Sequence, residues 1–364
     1  MSFEPSLLFS PSYQAARERF RRMAHEAGAG LAAHVHPGVK GVDGEELAVD
    51  TAWLGPRDAP NVMVSISGTH GQEGYAGSAI QCALLEDRAP LPAGVAMLMI
   101  HGLNPWGFSH GSRTTENNVD LNRNFVDHSL GHPENPTYAT LHPVLLRKEW
   151  SEANQAEIDA ALAAFVAANG ADALADGLMK GQYEFATGLC YGGTQREWSN
   201  TVLEQVARAD LAGARRVCII DWHTGIGEYA KPFFLCFSPA GSAEFELACL
   251  WWGDDAVRKA RPHGFRVPSY QGLVFYGLQR FLGDKAMAGA VVEIGTRGLG
   301  MRRALRLDLW LKFSADPQSE QARLLRLDMM DAFAPFDPQW RSSTIAHGVS
   351  ITRAGIDGLA NWRD

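Results

Sequence analysis

Apolar and polar positions along the chain repeat as short strand-like runs followed by helical segments. Residues Glu46 to Leu54 alternate in the period of a strand, and Val62-Met-Val-Ser-Ile-Ser67 is a short apolar run closed by Gly68. After a loop comes an Ala-rich helical segment from about Gly74 to Asp87. The rhythm returns at Val95 to His101 and at Arg216 to Trp222, the latter preceded by an amphipathic helix from about Glu197 to Ala212. Further strands are predicted at Pro232 to Phe237 and Ala290 to Ile294. Helices are predicted from Tyr13 to about Ala27, capped by Ser10 or Ser12, and at Ala243 to Ala260, Met301 to Lys312 and Gln318 to Phe333. The predicted class is α/β, with a mixed, mainly parallel central sheet flanked by helices. Residues Phe125 to Gln155, rich in His, Pro and Asn, read as a long loop on the functional side, with insertion or lid as equal alternatives.

At 364 residues without an internal repeat, the chain is expected to form one catalytic domain over residues 1–364. Its 46% hydrophobic and 20% charged residues support a sizeable core. A net charge of -8 gives no basic footprint, so nucleic acid is an unexpected partner. Met1 to Arg22 carries charges where a signal peptide needs a continuous apolar stretch, and no apolar run is long enough for a bilayer. Five scattered cysteines without a Cys-x-x-Cys pair suggest neither a disulfide framework nor a thiolate metal site, and a cytoplasmic location is expected.

The chemistry concentrates at predicted strand ends. Segment Ser67-Gly-Thr-His-Gly-Gln-Glu-Gly74 places His70 and Glu73 three residues apart between a strand and a helix, where open α/β sheets bind ligands. Imidazole nitrogen and carboxylate oxygen are good zinc ligands, and Gly68, Gly71 and Gly74 allow a sharp turn. Alone the pair is an ordinary polar loop. His223, where the strand ending near Asp221 meets Thr224-Gly-Ile-Gly227, supplies a third ligand and leaves a position for water. Arg113 and the run Asn117-Asn-Val-Asp-Leu-Asn-Arg-Asn-Phe125 bring guanidinium and amide groups suited to a carboxylate, unless the asparagines only satisfy the backbone of a turn. Glu293 ends an apolar strand, as a catalytic acid or as one half of a buried ion pair with Arg297 or Arg113.

Together His70-x-x-Glu73, Asn104-Pro105, Arg113, Asp120-Leu-Asn-Arg-Asn-Phe125, His223 and Glu293 resemble the M14-like zinc carboxypeptidase superfamily, which also includes succinylglutamate desuccinylase and aspartoacylase. The segments look most like the bacterial M14-like group DUF2817, over roughly Asn61 to Gly295. The resemblance implies one zinc per chain on His70, Glu73 and His223, Glu293 as general base, and Arg113 polarising the scissile carbonyl. It further implies Asn122 and Arg123 as binders of the substrate carboxylate and Asp120 as the partner of the second ring nitrogen of His70. The tyrosine that the carboxypeptidases place upstream of the glutamate has two candidates, Tyr270 and Tyr276. The implied substrate is a small peptide or an N-acyl amino acid. The helical tail after Glu293 leans toward the carboxypeptidase side, because aspartoacylase-like members carry a β-rich segment there.

Other readings are weaker. Gly107-Phe-Ser-His-Gly111 matches the serine-hydrolase motif around Ser109, but no strand joins it directly to a helix. His34-x-His36 fits an alternating surface strand better than a metal site, and Trp251 and Trp252 fit packing. A non-catalytic ligand-binding protein would have no use for Glu293 beside a full ligand set.

Overall fold

In the computed structural model, which describes residues 5–259, 264 and 266–363, seven strands form one mixed sheet. They are β1 Gly30–Lys40, β2 Glu46–Leu54, β3 Asn61–Ile66, β4 Val95–His101, β5 Arg216–Tyr229, β6 Pro232–Leu235 and β7 Ala286–Gly295. Their order is β1-β2-β4-β3-β5-β7-β6. The central four, β4-β3-β5-β7, are parallel, and both flanks close with antiparallel neighbours.

The central strands are almost wholly apolar because both faces are covered. Alternation sorts each strand between two cores. Val62, Val64 and Ile66 of β3 pack with Val217 and Ile219 of β5 toward the Trp198–Asp210 and Val274–Leu282 helices. Met63, Cys218, Ile220 and Trp222 face the other way, toward the Tyr13–Glu26, Gly74–Asp87 and Pro338–Asn361 helices. The last of these lies close enough that a Cβ on Gly348 would meet Ile80 at 2.5 Å. A third core joins the helices Pro136–Leu145, Glu152–Asn169 and Ala171–Met179 to Met301–Phe313 and Glu320–Phe333.

Several expectations need correction. Residues 125–155 are not one long loop: Asn135 caps a helix at Pro136–Leu145 by accepting from the Tyr138 amide, and Ser151 caps another at Glu152–Asn169. The Asn-Pro pair is a cap followed by Pro in the first turn, a start signal hidden by the surrounding polar residues. The expected helix Ala243 to Ala260 breaks at Gly253 (φ 102) into Ala243–Trp252 and Asp254–Arg258, and Ala260 lies outside the described residues. Strand β5 does not stop near Asp221 but runs to Tyr229, because β7 extends to Gly295 and pairs along it. The helices Val274–Leu282 and Pro338–Asn361 were not anticipated.

Topology positions the site. From β3 the chain crosses to β4 on one side, whereas β5 on the other side of β3 leads on toward β7 and β6. The carboxyl ends of β3 and β5 therefore border the switch point at which open α/β sheets form a crevice.

Candidate active site

His70 follows β3 directly. Gly68 takes a left-handed conformation (φ 71), and a Cβ on Gly71 would lie 1.9 Å from the Gly107 carbonyl carbon, so only glycine lets this loop pass the Pro105–His110 helix. The turn swings His70 and Glu73 back over the sheet. On β5, residues two apart share a face, so Asp221 and His223 point to the same side and Trp222 to the opposite core. Register then sets His223 beside Glu293 of β7.

Three ligand-type groups converge. Nδ1 of His70 lies 3.0 Å from Glu73 Oε1 and 3.0 Å from Nδ1 of His223, which in turn lies 2.9 Å from Glu73 Oε2. One donor atom from each residue falls within 4.8 Å of the others, and all three side chains are buried. Each imidazole is backed by a carboxylate on its far nitrogen: Asp120 Oδ1 is 3.1 Å from His70 Nε2, and Asp221 Oδ2 is 2.9 Å from His223 Nε2. Asp221 is itself held by the Thr69 hydroxyl, which donates to Oδ1 at 2.8 Å. This second carboxylate was not assigned from sequence, although its i,i+2 spacing from His223 along a strand was a readable signal.

The donor set fits a divalent cation such as zinc. Two imidazole nitrogens face one carboxylate at short range, with their other nitrogens turned outward onto carboxylates, an arrangement that orients ligand histidines. Four carboxylates, from Glu73, Asp120, Asp221 and Glu293, are buried around this point. Burial pushes the Glu73 carboxyl up, but the His70 and His223 rings outweigh it and hold the group below its usual range. Burial pushes His223 down, while Asp221 and Glu73 raise it well above an ordinary imidazole.

Arg113 joins this network. Its Nη1 donates to Glu73 Oε1 at 3.0 Å, and Nε and Nη2 donate to Asp120 Oδ2 at 3.3 Å. Burial raises the Asp120 carboxyl, but Arg113, Arg123 and His70 together hold it well below the carboxylate range. Glu293 differs. Its Oε2 accepts from the Ile226 amide at 3.2 Å, and no guanidinium pairs with it among the described residues. Arg297 pairs instead with Asp328 and Asp331. Burial and the Glu73 charge push the Glu293 carboxyl up to about 7.

These groups sit in a cleft of about 1200 Å³, its open mouth included, lined by His70, Arg113, Asn122, Arg123, His223, Tyr270 and Glu293 among many apolar side chains. Asn122 accepts from the Val274 amide at 2.9 Å and turns its Nδ2 toward His223 Nε2 at 3.3 Å. Arg123 donates to the Met179 and Asn122 carbonyls, and the Tyr270 ring lies 4.9 Å from its guanidinium carbon. Burial raises the Tyr270 hydroxyl, with Arg123 opposing. Tyr276 is not brought to the cleft: it lies on the Val274–Leu282 helix and packs against Phe237. The other asparagines of the 117–125 run are struts. Asn124 Nδ2 donates to the Gly192 and Gln195 carbonyls, and Asn118 Nδ2 to those of Ala186 and Gly188.

The decoys find other duties. Ser109 lies in the last turn of the Pro105–His110 helix, donates to Glu45 and accepts from the Val42 amide, while neighbouring His110 bonds the Trp106 carbonyl. His36 lies 3.1 Å from Glu116, and Trp252 donates to the Ile351 carbonyl.

Similar solved structures include bovine thrombin-activatable fibrinolysis inhibitor in complex with tick carboxypeptidase inhibitor. It is 10% identical, with 96% of each chain covered and a TM-score of 0.45. Carboxypeptidase A from Helicoverpa armigera is also 10% identical, covering 89% of this chain and 74% of its own at a TM-score of 0.44. A metallo-carboxypeptidase from Burkholderia cenocepacia is 14% identical, covering 95% and 68% at a TM-score of 0.42. No curated protein matches the sequence. The family model "Protein of unknown function (DUF2817)" matches residues 9–347, and the chain belongs to that family.

Proposed function

We propose that this chain is a zinc-dependent hydrolase that cleaves an amide bond next to a free carboxylate, in the manner of a metallocarboxypeptidase, with one zinc per chain. The observation that carries the reading is the convergence of His70, Glu73 and His223 with a buried Glu293 beside them that no guanidinium pairs among the described residues. Such a constellation has a metal seat and a separate base, the two parts that metal-assisted hydrolysis needs.

Zinc held there supplies a Lewis acid that polarises a carbonyl and lowers the pKa of water toward about 7. Glu293 takes a proton from the attacking water. The water oxygen bonds to the carbonyl carbon, the C–N bond breaks, and Glu293 returns the proton to the leaving amine. Arg113 stabilises the negative charge that develops on the carbonyl oxygen. Asn122 and Arg123 take the substrate carboxylate, and Tyr270 covers that end of the cleft. Asp120 and Asp221 orient the two imidazoles. Helices at Met301–Phe313, Glu320–Phe333 and Pro338–Asn361 after Glu293 favour the carboxypeptidase-like reading over an aspartoacylase-like deacylase.

A hydrolysis screen of the zinc-loaded protein against C-terminal dipeptides and N-acyl amino acids tests the proposal, with Glu293→Gln as inactive control. Cleavage of dipeptides that depends on Glu293 is expected. Cleavage of N-acyl amino acids alone would transfer the reading to a deacylase. Ester cleavage that survives loss of Glu293 but not of Ser109 would replace it with a serine hydrolase.

A further inference from the structure

The cleft has a cationic wall that the proposed reaction does not use. The Met301–Phe313 helix turns Met301, Arg302, Leu305 and Arg306 toward it, a single stripe at positions one turn apart. Arg306 is buried to 3% exposure. Its Nη2 donates to Gln155 Oε1 and to Asp159 Oδ1, both at 3.1 Å, whereas among the described residues its Nε has no hydrogen-bond partner. The Asp159 side chain is 63% exposed, so solvent screens that pairing. Burial holds the guanidinium groups of Arg302 and Arg306 below their usual pKa. Of the described residues that line the cleft, Glu293 is the one carboxylate, and it is reserved as base. In the proposed reaction Arg113 already serves the carbonyl oxygen and Arg123 the carboxylate beside the scissile bond, so neither is available to a second carboxylate. A guanidinium buried with one N–H unsatisfied, as Arg306 is at Nε, is costly unless an acceptor joins it, and its planar fork matches a carboxylate.

We propose that Arg302 and Arg306 form a second anion subsite, so that the substrate carries a carboxylate in addition to the one beside the scissile bond. The substrate class is then a dianionic amide, an inference that takes its meaning from the hydrolase reading but is testable without turnover. The second carboxylate comes either from the acyl part or from the side chain of the released residue.

Calorimetric titration of the full chain with dicarboxylates from succinate to suberate, each against its own monoamide, tests the subsite directly. For at least one length the dicarboxylate binds about tenfold tighter or more, the scale of a charge-assisted pair. That preference falls toward unity in Arg306→Met and in Arg302→Met. Absence of a preference at every length, or a preference retained in both variants, overturns the proposal. Arg306 also braces Gln155 and Asp159, so if Arg306→Met fails to fold, Arg302→Met at the half-buried position decides the test. Kinetics on N-succinyl-leucine, N-acetyl-glutamate and N-acetyl-glutamine then locate the charge, through KM more than kcat. A binding preference without hydrolysis of any amide supports the subsite and overturns the enzymatic reading instead.

Discussion

Glu293 lies beside His223 in the register of the parallel pair β5 and β7, and among the described residues its carboxylate is held by the Ile226 amide alone. Parallel register makes this adjacency rigid: slipping either strand by one residue would turn the acid or the imidazole to the opposite core. A base so placed is fixed relative to the ligand set without being one of its members.

Glu293→Gln keeps the shape and removes the proton acceptor, and kcat should fall by a factor on the order of 100 to 10,000. Zinc would offset the Glu73 charge that helps hold Glu293 near 7. The acid limb of kcat/KM in the loaded protein is therefore expected below pH 7. A variant retaining more than a tenth of wild-type kcat would remove Glu293 from the reaction.

The same carboxyl has a stability consequence in metal-free protein. Its folded pKa, about 7, is above the ordinary 4.5, so its contribution is present below pH 4.5 and is lost as pH rises through 7. Metal-free Glu293→Gln should be more stable than wild type at pH 8, by on the order of 1–3 kcal/mol, with the gap closing near pH 5. Urea melts at the two pH values measure it.

His70→Ala and His223→Ala should each abolish stoichiometric zinc uptake, read by elemental analysis after dialysis. Asp120→Asn and Asp221→Asn should retain the metal but lower its affinity roughly 10–100-fold. Added zinc at about 100 times its Kd should stabilise the wild type by about 2.7 kcal/mol and leave His223→Ala unmoved. Equal stabilisation of both proteins would place the metal elsewhere.

Asp308 accepts from the Arg113 amide at 3.0 Å and from the Ser112 hydroxyl at 3.3 Å, and Lys312, one turn on, holds Thr114 and the Thr115 carbonyl. The Ser112 and Arg113 carbonyls in turn receive the Gln72 and Gly71 amides between the two metal ligands. Asp308→Ala leaves buried donors unsatisfied, so stability should drop by about 1–3 kcal/mol. Zinc affinity should fall with it. Unchanged affinity would mean the ligand loop does not need this brace.

His101 is stacked on Phe20 at 4.4 Å, and its Nε2 is 2.9 Å from the Ser78 hydroxyl. Burial pushes its pKa down to about 4, with Asp50 partly opposing. Because the folded value is depressed, its contribution is present above pH 6.5 and is lost as pH falls through 4. Up to about 3 kcal/mol should disappear over that window. Denaturation midpoints of His101→Gln should show a shallower acid slope than wild type, and parallel slopes would count against the assignment.

Much of this architecture is local and was legible in the residues. Alternation marked β2, and short apolar runs marked β3 and β4, because strands covered on both faces need no polar alternation. Gly68 and Gly71 marked a turn that no other residue can make, and His70, Glu73, His223 and Glu293 stood out as candidates by donor chemistry and motif. Tertiary packing decided what depends on distance in space. It chose Tyr270 over Tyr276, since the helix starting at Val274 carries the latter away from the cleft. It separated Asn122 and Arg123, which face the cleft, from Asn118 and Asn124, which brace backbone, a distinction invisible in a run of like amides. It also gave Asp221 its place behind His223 and set Arg302 and Arg306 on the cleft wall, because both relationships arise only when elements far apart in sequence share a surface.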